Sequence, residues 1–136
     1  MSDQPVMTED EYGTKWWKLN GALHRKDGPA VECSNGTKFW YVNGKWHRED
    51  GPAVEWSDGD REWWANGEKH REDGPAIEWP DGFKAWYVND KLHRIGGPAV
   101  ERPGGSEEWW VDGVQYTRVE WRFLDVEEEM DVSPIP

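Results

Sequence analysis

Apolar positions in this chain come in runs of five or six residues rich in Trp, Tyr and Val, such as Phe39-Trp40-Tyr41-Val42 and Ala53-Val54-Glu55-Trp56. Turn pairs separate them. One set is Asn20-Gly21, Asn43-Gly44 and Asn66-Gly67, and a second is Asn35-Gly36, Asp58-Gly59 and Asp81-Gly82. Such pairs supply the positive φ of tight hairpins, so the runs are predicted to be strands. No window shows a helical period, and Gly or Pro interrupts each repeat, so no helix is expected.

The pattern recurs every 23 residues. His24, His47, His70 and His93 keep that step, as do Trp17, Trp40, Trp63, Trp86 and Trp109, and Gly28, Gly51, Gly74 and Gly97 with the Pro-Ala after each. Each unit holds two strands, and a fifth begins at "EEWWVDGVQY". The predicted fold is all-β, an extended antiparallel meander of about four and a half hairpin repeats. Two strands at about 4.8 Å each advance such a sheet by roughly 10 Å per unit. From about residue 115 a truncated cap is expected. There Val119-Glu120-Trp121 align with Val54-Glu55-Trp56 if four residues, including the Gly-Pro-Ala corner, are lost.

A two-residue loop at Asp58-Gly59 would set Trp56 opposite Arg61, Glu55 opposite Glu62 and Val54 opposite Trp63. On that register Glu55/Glu62 and Glu101/Glu108 face each other with like charge. Arg48, Arg71 and Arg94 are the candidate cations between them. The core face would then hold the constant Trp column with Leu19, Val42, Ala65, Val88, Val111 and with Val31, Val54, Ile77, Val100. The other face would hold Tyr41, Trp64, Tyr87 and Trp110 beside the Ala and Glu columns.

A net charge of −12 over 136 residues changes this picture little, because the excess lies at the ends. Residues 1–14 (Asp3, Glu9, Asp10, Glu11) and 125–136 (Asp125, Glu127, Glu128, Glu129, Asp131) contain no Lys or Arg. They read as disordered acidic tails flanking one repeat domain at 15–124. Neither a leader nor an 18-residue apolar span is evident, which predicts a soluble cytoplasmic protein. Cys33 has no partner for a disulfide and reads as a small core-edge residue.

"KWHREDGPAVEW" (45–56) has the composition of an active site, with His47, Arg48, Glu49 and Asp50 together. Zinc ligands must lie about 2.0 to 2.3 Å from one ion, yet successive His residues would be roughly 10 Å apart. No metal site and no cofactor is expected. No Ser or Cys nucleophile keeps a constant offset: Pro80 and Pro103 stand where Ser34 and Ser57 do, and Cys33 is unique. The chain is therefore read as non-enzymatic, with no catalytic residue. The columns His24, His47, His70, His93 and Asp27, Asp50, Asp73 are assigned to bracing the Gly-Pro corner of their own loops.

The unit "KFWYVNGKWHREDGPAVEWSDGD" resembles a MORN repeat in its length, its aromatic strand, its N-G-K-x-H segment and its D-G turn. Arg25, Arg48, Arg71 and Arg94 stand where that family has Gly after His, so the unit is MORN-like. The resemblance covers about residues 15–124. It implies an extended antiparallel array acting as a scaffold or protein-binding surface, similar to short arrays in bacterial and bacteriophage proteins, where blocking a host factor is one role. The expected partner is another protein, held by Tyr41, Trp64, Tyr87, Trp110, Glu55 and Glu78 as an adaptor or inhibitor site. A carbohydrate-binding module and an acidic nucleic-acid mimic are the alternatives. Direct nucleic-acid binding is opposed by the Glu column, and membrane binding by the lack of a basic patch. Open sheet edges or the aromatic face would allow a homodimer.

Overall fold

The computed structural model describes residues 3–124. The chain forms an open antiparallel sheet of 12 strands, with neighbours paired in sequence order. From Lys15–Leu19 the central path runs through Val31–Glu32, Lys38–Phe39, Val54–Glu55, Arg61–Glu62, Ile77–Glu78, Lys84–Ala85 and Val100–Glu101 to Glu107–Val111. Each inner unit also turns out a side hairpin: Tyr41–Val42 with Lys45–Trp46, Trp64–Ala65 with Glu68–Lys69, and Tyr87–Val88 with Lys91–Leu92. Trp40 joins the two layers. Its N–H donates to Ala53 O in the central sheet (2.7 Å) and its carbonyl accepts from His47 N in the hairpin (3.0 Å).

The two turn columns are not equivalent. At Asn43-Gly44 both residues have positive φ (53° and 78°), and Val42 pairs with Lys45, as a two-residue turn requires. At the D-G column only the glycine is left-handed, Gly59 at 101°. There Gly59 N donates to Trp56 O (2.9 Å), Trp56 N donates to Asp60 O (2.9 Å), and Asp60 N donates to Asp58 Oδ1 (3.1 Å). The loop is thus Ser57-Asp58-Gly59, a three-residue turn closed by a glycine bulge.

That extra residue moves the register by one. Val54 faces Glu62 and Glu55 faces Arg61, where the two-residue reading set Val54 against Trp63 and Glu55 against Glu62. A single-residue shift carries every side chain of the facing strand to the other face. One row across the sheet consequently reads Lys15, Glu32, Lys38, Glu55, Arg61, Glu78, Lys84, Glu101, alternating in sign until Glu107. The adjacent row, on the opposite face, reads Trp16, Val31, Phe39, Val54, Glu62, Ile77, Ala85, Val100, Glu108. The constant Trp column shares the charged row's face, not that of the Val column. The fully buried positions are small: Ala30, Ala53, Ala76, Ala99 and Val54 are at 0 % exposure, while the Trp column is half-buried.

Both ends depart from the sequence reading. Val6–Glu9, expected within an unstructured tail, forms an edge strand against Lys15–Leu19. Residues 118–124, expected as a strand-like cap, are helical. Thr117 and Glu120 form a capping box, Glu120 N donating to Thr117 Oγ1 (3.1 Å) and Thr117 N to Glu120 Oε1 (2.9 Å). Trp121 lies 6.4 Å from Trp109, and its indole donates to Arg94 O at 3.3 Å, so the helix closes the array. The T-x-x-E signal was present, and no Gly or Pro falls between 114 and 124 to forbid it. The acidic segment 125–136 lies outside the described residues. Among those described, no helix is long and apolar enough to cross a membrane.

Gly59 and Gly36 separate backbone strain from turn stacking. Both are left-handed (101° and 98°), but a Cβ on Gly59 would sit 2.9 Å from Pro80 Cγ, whereas one on Gly36 would meet open space. Gly36→Ala is expected to cost about 1–2 kcal/mol, and Gly59→Ala clearly more, in urea denaturation. Equal costs would show that successive turns do not bear on one another.

Candidate binding faces

The constant motif is occupied by its own fold. Each Arg after the His folds back so that its guanidinium lies over the Trp of its unit: Arg25 on Trp17 (3.8 Å), Arg48 on Trp40 (3.9 Å), Arg71 on Trp63 (3.9 Å) and Arg94 on Trp86 (3.8 Å). The same group bonds the Gly-Pro corner and the Glu of the next strand. Arg48 Nη1 reaches Pro52 O at 3.0 Å and Glu55 Oε2 at 3.3 Å, and its Nε reaches Asp50 Oδ1 at 3.2 Å. A Cβ on Gly51 would meet Arg48 Cζ at 2.9 Å, so only glycine leaves room for this return.

The His column does not brace its own corner. His47 Nδ1 accepts from Asn66 N at 3.0 Å, in the turn of the following unit, and His24, His70 and His93 accept likewise from Asn43, Asn89 and Asp112. This bond requires the neutral ring with its proton on Nε2. In two units that nitrogen faces an acid of its own loop, Glu72 at 3.2 Å and Glu49 at 3.5 Å. Asp27, Asp50 and Asp73 bind the Arg rather than the backbone. Arg is therefore the residue that braces each corner, and His is the link between units. Clefts of about 660, 520 and 740 Å³ lie between successive loops, each walled by these engaged side chains over a Trp.

The opposite face varies from unit to unit. Phe39 stacks on Trp46 (5.9 Å, 9°) and meets Trp56 edge-on (5.3 Å, 89°), and Trp46 in turn meets Trp64 (4.7 Å, 70°). In the next unit Trp79 lies 4.3 Å from Phe83. Corresponding positions carry other chemistry: Cys33 and Arg102 stand where Trp56 and Trp79 do, and Leu23, Lys69 and Leu92 where Trp46 does. Glu62 takes both indole donors, Trp64 Nε1 at 2.9 Å and Trp56 Nε1 at 3.2 Å, which fixes the two rings. Trp46 Nε1 is buried inside this cluster without a hydrogen-bond partner.

The expected site residues divide between the faces. Tyr41, Trp64, Tyr87 and Trp110 are half-buried within the variable face: Tyr41 lies 6.1 Å from Trp46, Lys69 Nζ sits 4.5 Å above Tyr87, and Trp110 Nε1 donates to Glu108 at 2.8 Å. Glu55 and Glu78 point to the other face, held by Arg48 and Arg71. The single aromatic-and-acid surface expected from sequence does not form, because it rested on the two-residue register. On the variable face the exposed rings are instead Trp56 (40 %) and Trp79 (42 %), neither of them among the expected site residues. The acid bonded to Trp56 is Glu62, not Glu55.

Charge is unevenly compensated on the variable face. Desolvation raises the Asp60 carboxyl above the usual carboxylate range, with Asp58, Asp81 and Glu62 adding repulsion. Glu108 is lowered, first by the Trp110 indole and then by Arg102, whose Nη2 is 2.8 Å away. Burial raises the Cys33 thiol. Among the described residues no group of three or more His, Cys, Asp or Glu is placed to hold a metal ion. No family model matches the sequence, and no curated protein matches it.

Two variants test these assignments. Arg48→Lys keeps the charge but loses the planar fork that serves Trp40, Pro52, Asp50 and Glu55 together. It should lower unfolding stability by about 1–3 kcal/mol; an unchanged urea midpoint would mean the charge alone suffices. Asp60→Asn should raise stability at neutral pH. A raised carboxyl destabilises the fold above its folded pKa and ceases to do so below its unfolded value, so the gain should vanish as pH falls through that window in thermal melts.

Proposed function

We propose that this chain is a non-enzymatic, MORN-like repeat module that binds another protein through its variable aromatic face. One observation carries the reading. The residues constant from unit to unit are engaged by the fold, whereas the columns Leu23/Trp46/Lys69/Leu92, Cys33/Trp56/Trp79/Arg102 and Phe39/Glu62/Ala85/Glu108 change chemistry on one face, where Trp56 and Trp79 are exposed. A repeat array uses its constant positions to build a sheet and its variable ones to distinguish a partner. Aromatic side chains held rigid by their neighbours suit this task, since little rotamer freedom is lost on binding.

Two further observations support a binding rather than a catalytic role. The Nδ1 of each His is taken up by a backbone N–H, which removes it as a general base at that nitrogen. Each Arg is held by carboxylates and a carbonyl, leaving no free cation in the constant motif to bind a substrate.

Trp56→Ser with Trp79→Ser is expected to abolish capture of the native partner in affinity purification while circular dichroism and urea stability stay near wild type. Tyr41→Ser, Trp64→Ser and Tyr87→Ser together should lower stability as well, because those rings are half-buried among their neighbours. Full capture by the double variant would remove this face as the binding surface.

A further inference from the structure

The exposed rings of the variable face lie beside charge that the fold leaves unmatched. On the constant face the acids meet cations: Asp27 and Glu32 with Arg25, Asp50 and Glu55 with Arg48, Asp73 and Glu78 with Arg71, and Glu101 with Arg94. Around Trp56 and Trp79 this does not happen. Asp58 and Asp81 accept from the backbone of their own turns, at Asp60 N (3.1 Å) and Phe83 N (2.9 Å). Glu62 accepts from the two indoles. Among the described residues none of Asp58, Asp60, Glu62 and Asp81 forms an ion pair with Lys or Arg.

The arrangement is not an acidic surface alone. Trp56 pairs through its backbone with Asp60 across the turn, and Glu62 anchors its indole nitrogen, so the ring is held beside a carboxylate at the turn that carries Asp58 and Asp60. Trp79 is set against Phe83 in the next hairpin, whose turn carries Asp81. The two turns touch at Pro80, against which Gly59 packs. Aromatic faces and carboxylates favour the same type of guest, a cation that stacks on the ring while its hydrogens reach oxygen. The repulsion that Asp58, Asp81 and Glu62 exert on Asp60 is relieved by that guest and by no neutral or anionic one.

Resting on the reading of this face as the binding surface, we propose that its occupant is a cationic segment of a partner protein, with Lys or Arg side chains lying over Trp56 and Trp79 among Asp58, Asp60, Glu62 and Asp81. Guanidinium is the better fit, since it stacks flat on indole and forks to carboxylate. Phosphate backbones are repelled from this surface, and a neutral sugar has no use for four uncompensated carboxylates.

The test uses the full chain and a fluorescein-labelled (Arg-Ser)5 peptide, with (Glu-Ser)5 as its counterpart, read by fluorescence anisotropy. The Arg peptide is expected to bind with an affinity that falls as salt rises, and the Glu peptide not to bind. Asp58→Asn, Asp60→Asn and Asp81→Asn combined should weaken binding about tenfold or more, as should Trp56→Ser with Trp79→Ser. Asn retains the oxygen that caps each turn, so the fold should persist by circular dichroism. Asp3→Asn, Glu9→Gln and Glu11→Gln together remove the same charge elsewhere and should change affinity by less than about twofold. An equal loss in that control would reduce the effect to net charge and overturn the proposal. So would cellohexaose binding that depends on Trp56 and Trp79 in a protein that ignores the Arg peptide. If native-partner capture requires Trp56 and Trp79 while the three Asp variants leave peptide affinity unchanged, the cationic occupant is wrong and the surface stands. If capture is indifferent to both rings, the surface itself falls.

Discussion

The guanidinium of Arg48, flat against Trp40 and bonded at once to Pro52 O, Asp50 and Glu55, ties together both ends of one unit. The long loop between the side hairpin and the next central strand has no ladder of its own. This return by Arg gives it a defined path. A stacked cation contributes about 0.5–2 kcal/mol and a hydrogen bond to a charged group about 1.5–3 kcal/mol where buried, less where Asp50 is open to solvent, so several contributions converge on this one group. Its geometry sets the sequence around it. Glycine must follow the Asp because a Cβ would strike the guanidinium, and Glu must stand where the ion pair closes. Gly96 replaces Asp in the fourth loop, yet Arg94 keeps Trp86, Pro98 and Glu101, so the Asp contact is the dispensable one.

Within a unit Arg closes the loop, and between units His carries the connection. His47 accepts from the turn of the next unit, while Arg48 N donates to Trp64 O and Gly67 N donates to Trp46 O across the same junction. The side hairpins therefore stack in register with the central sheet, and the array propagates through near-neighbour contacts alone. It ends where this set ends. The fifth unit has no Arg to cover Trp109, and the Trp121 of the terminal helix takes that place.

A motif with His, Arg, Glu and Asp in twelve residues has the composition of an active site, and in the fold its side chains are taken up by contacts within the chain. Charged side chains at a chain crossing satisfy one another and the backbone, which is chemistry directed inward. What the fold leaves exposed on the opposite face is set by positions that look unremarkable in one unit and differ in the next. Trp56 and Trp79 are replaced by Cys33 and Arg102 in the flanking units, so this exposed pair of tryptophans belongs to the middle of the array.

The 23-residue period and the open meander were legible in the sequence, because turn pairs and alternating apolar positions act locally. Two strands per unit were expected, but each inner unit has four short ones, two in the central sheet and two in its side hairpin. Arg48, Arg71 and Arg94 do pair with the Glu column, but the facing carboxylates that suggested them do not face each other, since Glu55 lies opposite Arg61 and Glu62 is on the other face. Which residues share a face was not legible. Asn43-Gly44 and Asp58-Gly59 look alike, yet Asp58 caps its turn and leaves only Gly59 left-handed, which adds one residue to the loop. Since side chains alternate with period two, that residue exchanged the partners of every strand across the turn and separated Glu55 from Tyr41 and Trp64. The role of His was equally hidden, since its acceptor bond reaches 19 residues along the chain to a turn that only stacking brings near. Local chemistry is written in local sequence, but the facing of one strand on another depends on a turn conformation that the folded chain alone decided.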